Sequence, residues 1–202
     1  MAAKVIDFNW NLATYLHPAQ RKKWLPEIPD SAWREPRTSG RISNLLSVRI
    51  GLSEEVFPDT PNPLWLIALL PADRLNRLAL HIGALILGVR IRSSLSREHV
   101  LKWKKKLGDE AYRFAMNSAT LLPVGRLPLN AIATGAADEL GASVVMTALA
   151  NEPQTLRRRV ALKFSNEIDV MDIDPESAAQ VSLMIARILE AKWFSSLEAL
   201  KK

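Results

Sequence analysis

Residues Pro71–Arg92, PADRLNRLALHIGALILGVRIR, contain the longest apolar run of the chain, Leu78 to Val89, interrupted only by His81. Pro71 marks a start, Asp73 lies in the first turn, and Arg90 and Arg92 lie in the last, so charges of the right sign complement both ends of a helix dipole. About 20 apolar residues are needed to cross a bilayer, and a run of this length instead predicts a buried core helix. The fold class that follows is mainly α, a compact single-domain helical bundle around this central helix. Gly83 and Gly88 each lower helix propensity by about 1 kcal/mol relative to Ala, a cost tolerated where a second helix must approach the backbone. Leu78, Ile82, Gly83, Leu85, Ile86 and Gly88 are the residues expected at the centre of the core.

Upstream, Leu64–Leu70 is a second apolar piece that Pro71 cuts off, predicting two helices that meet at the proline. Before it comes a loop with Pro58, Pro61 and Pro63. Ile42, Leu45, Leu46 and Ile50 predict a short helix ending at Gly51, preceded by a linker over Arg37–Gly40. Residues 1–40, broken by Pro18, Pro26, Pro29 and Pro36, read as an irregular wrap with short helices, anchored by Trp10, Tyr15, Trp24 and Trp33. Pro18 suits the first position of a helix through Trp24, with His17 held extended before it. Residues 41–202 form the helical core, continuous with the wrap.

Downstream, Ser94 or Ser96 can cap a helix to Leu107, with Leu95, His99 and Trp103 on one face and lysines on the other. Gly108 ends it. Asp109 and Glu110 open the next, with Ala111, Phe114, Ala115 and Met116 inward, closed by Pro123, Gly125 and Pro128. An Ala-rich helix runs from Leu129 or Gly135 to Ala150, and Asn151 caps a short one carrying Arg157, Arg158 and Arg159. Val160, Leu162 and Phe164 alternate with Ala161, Lys163 and Ser165, and Ile168, Val170 and Ile173 partly repeat the pattern, making a small β-hairpin near 160–173 the one strand candidate. Asp174, Pro175 and Glu176 supply a cap, a first-turn proline and an acid. The helix they open carries Val181, Met184, Ile185, Ile188, Leu189, Trp193 and Leu197 as its apolar stripe.

The chain has 202 residues, 48% hydrophobic, no cysteine, and a net charge of +6. Thiolate metal sites and disulfides are excluded, and neither a secretory h-region nor an 18-residue apolar run occurs, so a soluble intracellular protein is expected. The charge is concentrated. Arg90, Arg92, Arg97, Lys102, Lys104, Lys105 and Lys106 face Glu98 alone, and this segment accounts for the whole excess. Glu167, Asp169, Asp172, Asp174 and Glu176 form the opposite pole. Two opposed patches suit docking better than uniform phosphate binding. His17, His81 and His99 lack metal-ligand spacing, Gly83 and Gly88 form no phosphate loop, and the adjacent acids Asp109–Glu110 and Asp138–Glu139 point apart on a helix. No catalytic residue, metal or cofactor is therefore assigned. Trp103 among lysines leaves a nucleic-acid-binding helical domain, using residues 90–106, as the alternative function.

Several stretches resemble one family, the YscK-like (SctK) accessory proteins of the type III secretion sorting platform. Phe8-Asn9, Tyr15-Leu16-His17-Pro18 and Trp24-Leu25-Pro26 are similar to its opening motif, and Leu69-Leu70-Pro71, Leu75, Leu78 and the glycine-containing helix to Ile91-Arg92 to its central block. Leu107-Gly108-Asp109-Glu110-Ala111-Tyr112-Arg113-Phe114-Ala115 and Asn151-Glu152-Pro153 with Leu156, Arg159, Leu162 and Phe164 follow in the same order. Some relatives carry a histidine before the second glycine of the central helix, where this chain has Leu87. The resemblance implies a non-enzymatic cytoplasmic adaptor at the inner membrane's cytoplasmic face, joining the cytoplasmic domain of the inner-membrane ring protein to the C-ring-like platform protein. Lys102, Lys104, Lys105 and Lys106, together with Tyr15, His17 and Trp24, are the candidate partner-binding residues.

Overall fold

The computed structural model describes residues 2–52, 62–94, 96–118 and 136–198. The chain is mainly α: among the described residues there are twelve α-helices, one 3-10 turn and no strand. In order these are α1 (Ala2–Trp10), α2 (Leu12–Tyr15), α3 (Pro18–Trp24), the 3-10 turn Ala32–Arg34, α4 (Pro36–Ile50), α5 (Pro63–Ala68), α6 (Ala72–Ile86), α7 (Gly88–Ser93), α8 (Arg97–Asn117), α9 (Ala137–Ala148), α10 (Gln154–Ala161), α11 (Pro175–Leu189) and α12 (Ala191–Glu198). They gather into two compact units, one of Met1–Leu75, Glu152–Glu167 and Ser196–Lys202, the other of Asn76–Asn151 and Ile168–Ser195. Pro58, Pro61, Leu95, Pro123, Gly125, Pro128, the stretch 129–135 and the side chain of Leu197 lie outside the described residues.

In the first unit α2 packs on α4, burying Leu12, Tyr15 and Leu16 with Ile42, Leu46 and Leu52. The Ser43 hydroxyl accepts from Ala13 N at 3.1 Å. His17 is extended before Pro18, and its Nδ1 accepts from Ala19 N at 3.2 Å, capping α3. The His17 N–H donates to Leu162 O at 2.8 Å, and Gln20 Nε2 donates to Ala161 O at 3.0 Å, so the N-terminal segment is fastened to the end of α10. Gly51 ends α4 at φ 73°, in the left-handed region that a C-terminal cap requires and an L side chain resists.

Two expectations change. The linker Arg37–Gly40 is helical: Pro36 occupies the first position of α4, the Thr38 hydroxyl donates to Glu35 O at 2.9 Å, and exposed Gly40 has open space around it. Residues 2–10 form α1, a short helix at the start of the wrap, and no proline precedes Pro18 to prevent it. The hairpin near 160–173 does not form, because α10 continues through Ala161 and the next residues turn. Its alternation is only apparent, since Lys163, a polar member of the pattern, is buried along with Leu162 and Phe164.

In the second unit the buried part of α6 carries Leu78, Ile82 and Leu85, all fully inside, and Ile86 nearly so. The helical hydrogen bonding runs on through Leu87 into α7, with Leu87 N to Gly83 O at 2.9 Å and Ile91 N to Leu87 O at 3.0 Å. A Cβ placed on Gly83 would run into the Ala137 carbonyl, and one on Gly141 into the Ala79 carbonyl. The contact is reciprocal, Ala79 and Gly83 on α6 facing Ala137 and Gly141 on α9 at spacings of four. α9 then packs along α11. Asp174 caps α11, accepting from Ser177 N at 2.9 Å and from the Ser177 hydroxyl at 2.7 Å. The stripe of α11 is narrower than expected: Val181 and Ile185 are buried beside Ala178, Ser182 and Ala186, while Ile188 is exposed. Small residues let α11 sit close to α9, which leaves the larger side chain outside.

The two kinds of glycine predict opposite outcomes. Gly83→Ala should destabilise the protein by about 1–3 kcal/mol, since the added methyl forces two backbones apart. Gly40→Ala, in an open helix position, should stabilise it by about 0.5–1 kcal/mol. Urea unfolding midpoints of the two variants measure both signs.

Candidate partner-binding site

Four kinds of polar side chain could carry chemistry or docking: the histidines, the basic segment, the N-terminal aromatic motif, and the cations inside the first unit. His81 is buried, with its ring edge-on to Phe114 at 5.2 Å. Its Nδ1 lies 2.8 Å from Arg77 O. A carbonyl only accepts, so the proton sits on Nδ1. Nε2 lies 3.8 Å from Glu110 Oε1. Burial holds the ring pKa below its ordinary value, against the pull of the Arg77 carbonyl and the Glu110 carboxylate. Glu110 is itself bonded to Arg77, which also reaches Glu190 at 3.5 Å. His99, expected to be partly buried, is exposed in the first turn of α8, on the same face as half-buried Trp103 and beside the groove described below. Among the described residues no three His, Asp or Glu side chains gather as a metal site.

The basic segment spans α7 and α8. Ser96 caps α8, accepting from His99 N at 3.2 Å. Its inner face supplies Leu107, Ala111, Tyr112 and Ala115 to a core cluster shared with Ala84, Leu87, Ile91 and Ala137, with Trp103 and Val100 packed against it. Lys102, Lys104, Lys105 and Lys106 are exposed. Lys104 Nζ lies over the Tyr112 ring at 5.5 Å and Lys106 Nζ over Trp103 at 6.0 Å. Lys102 and Lys106 come together with Arg90, Ser93, Ser94, His99 and Trp103 around an open groove of about 390 Å³. Beside it a larger cleft of about 1000 Å³ shares Arg90, Trp103 and Lys106 and is lined further by Arg77, His81, Asp109, Glu110 and Asp138.

The three residues of the N-terminal motif have different surroundings. Tyr15 is in the core, stacked on Phe8 with centroids 5.6 Å apart and its hydroxyl donating to Phe8 O at 2.7 Å. His17 is half-buried as the cap of α3. Trp24 is half-buried, its Nε1 donating to Gln20 Oε1 at 3.1 Å with Lys23 Nζ 5.6 Å above the ring. Only Trp24 and the edge of His17 remain available to a partner.

Sequence reasoning missed the two buried cations below this motif. Lys163 Nζ donates to Ala68 O at 2.6 Å and Leu70 O at 2.7 Å, and lies 4.8 Å from the Phe8 ring and 5.0 Å from the Tyr15 ring. Ala68 ends α5 and Leu70 lies in the turn that follows, before Pro71, which has no N–H to donate. Arg159 Nη2 donates to Leu52 O at 3.3 Å, and its guanidinium also hydrogen-bonds the Tyr15 side chain. Burial pushes Lys163 down to about 7 and holds the Tyr15 phenol above its ordinary value. The available signal was the i,i+4 pair Arg159 and Lys163 among buried apolar neighbours, the helical spacing that the strand reading passed over.

Compared with models of protein families, residues 4–198 match the one described as YOP proteins translocation protein K (YscK). No curated protein and no solved structure matches the chain.

Lys163 sets a pH dependence. Between about 7 and its unfolded value of 10.5 the folded state binds fewer protons than the unfolded chain, so stability rises with pH across that window. The Tyr15 phenol acts in the other sense above about pH 10, where the unfolded chain loses a proton the folded one keeps. Stability of the native protein should therefore climb from pH 7.5 to 9.5, and Lys163→Met should flatten the rise while costing about 1–3 kcal/mol through the two stranded carbonyls. Denaturant midpoints taken across that range test both.

Proposed function

We propose that this chain, which belongs to the YscK family of type III secretion proteins, is a non-enzymatic adaptor of the cytoplasmic sorting platform. In this reading it links the cytoplasmic domain of the inner-membrane ring protein to the C-ring-like platform protein, and its place is at the cytoplasmic face of the inner membrane. The family match over residues 4–198 is the observation that carries it. Family membership makes the chain a component of a protein-transport apparatus, and the linkage is the finer step. One feature supports that step. Among the described residues no helix is long and apolar enough to cross a membrane, so attachment to the ring would run through protein contact.

Co-expression tests the reading. The full chain should co-purify with the C-ring-like platform protein and with the cytoplasmic domain of the ring protein, and deletion of its gene should stop secretion while both partners are still made. Secretion at the wild-type level in the deletion strain would remove the proposal.

A further inference from the structure

We infer that the groove between α7 and α8, walled by Arg90, Lys102 and Lys106 over Trp103, is a docking site for an acidic segment of a protein partner. The inference rests on the adaptor reading and names the chemistry of one of its contacts.

In an uninterrupted helix Lys105 would face Asp109, and Lys106 would face Glu110, at the i,i+4 spacing that lets opposite charges pair. Gly108 has φ 75° and ψ 163°, a conformation closed to L side chains, and it takes the two halves of α8 out of register. Glu110 turns instead to Arg77. Among the described residues none of Lys102, Lys104, Lys105 or Lys106 forms an ion pair, although Asp109 and Glu110 follow Lys105 and Lys106 by four positions. The kink thus leaves Lys105 and Lys106 facing solvent beside Lys102 and Lys104.

The groove is organised as well as charged. His99, Lys102, Trp103 and Lys106 fall at spacings of three and four, which places them along one face of α8. The Ser94 hydroxyl donates to Arg90 O at 2.8 Å and accepts from the Trp103 indole at 3.1 Å, fixing the floor against the end of α7. Two lysines and an arginine above a held aromatic floor suit carboxylates on a chain that also lays apolar surface against the indole.

A protein occupant fits better than the other polyanions. The neighbouring cleft shares Arg90, Trp103 and Lys106, but adds Asp109, Glu110 and Asp138. A nucleic-acid backbone leaving the groove in that direction would carry its phosphates onto carboxylates, whereas a peptide can change sign from residue to residue. A membrane surface is disfavoured because the apolar face of α8 is already in the core cluster and is not free to enter an interface.

The test titrates the full chain with a fluorescent glutamate-rich peptide, a single-stranded DNA of matched charge, and phosphatidylserine vesicles. The native protein should bind the peptide most tightly, with affinity falling as salt is raised. Lys102→Glu with Lys106→Glu should weaken peptide binding about tenfold or more, and Lys192→Glu, an exposed control, should not. Circular dichroism and thermal melting of each variant show whether the fold is kept, and the double lysine variant spares Arg90 so that loss of folding does not obscure the result. Equal peptide binding by the double variant overturns the inference, as does preferred binding of DNA or vesicles through the same residues. In the co-purification experiment, undiminished capture of both partners by the double variant overturns the groove and leaves the adaptor standing. Failure of the native chain to capture either partner overturns the adaptor, with the peptide titration still deciding the groove.

Discussion

The crossing of α6 and α9 is the constraint on which the second unit is built. Helix axes usually stand 8–10 Å apart, and the lower end is reached only when small residues meet at the contact. Here a glycine on each helix receives a carbonyl-bearing alanine of the other, Gly83 with Ala137 and Gly141 with Ala79. α9 also packs along α11, whose buried residues include Ala178, Ser182 and Ala186 beside Val181 and Ile185. The propensity cost of Gly83 and Gly141, about 1 kcal/mol each, is offset by dispersion contacts along helices that would otherwise stand apart.

The first unit depends on a different device, a cation where apolar packing would be expected. The break between α5 and α6 at Pro71 leaves carbonyls facing inward, and a buried carbonyl with no donor costs about 1–3 kcal/mol. Lys163 donates to two of them at once, and the Phe8 and Tyr15 rings offset part of its desolvation. The N-terminal aromatic motif is therefore tied to the end of α10 by need as well as by shape. Gln20 and the His17 backbone add hydrogen bonds to the same turn.

Legibility from the sequence followed the range of the physics. Local rules held where one residue decides: Pro18 opening α3, Gly51 closing α4, Ser96 and Asp174 as caps, Pro71 between α5 and α6, and Gly108 as a break. Core membership along α6 was also readable, since a run apolar on every face has nowhere to go but inside. What failed needed partners far away in the chain. The period-2 reading of 160–164 was defeated by Lys163, whose burial depends on carbonyls more than ninety residues earlier. Tyr15, read both as an anchor and as a candidate partner-binding residue, is buried, and the residues around it, Phe8, Arg159 and Lys163, include two from far along the chain. The groove at α7 and α8 was half legible, its charges from composition, its shape only once Arg90 and the α8 face were brought together.

The basic residues also separate by what removing them would do. Lys163 and Arg159 answer buried backbone groups, so their loss is a stability defect whatever the protein binds. Lys102 and Lys106 are exposed at i,i+4 on one helix, where like charges repel by about 0.2–0.5 kcal/mol rather than stabilise. A fold selected for stability alone would gain by replacing either, or by a helical residue at 108 that let Asp109 and Glu110 reach back. Keeping the lysines together, unpaired and in register around a held tryptophan makes sense where the compensating anions come from outside the chain. On the proposed reading, the left-handed backbone at Gly108 keeps Lys106 and Glu110 out of register and leaves the outer face of α8 to an acidic partner.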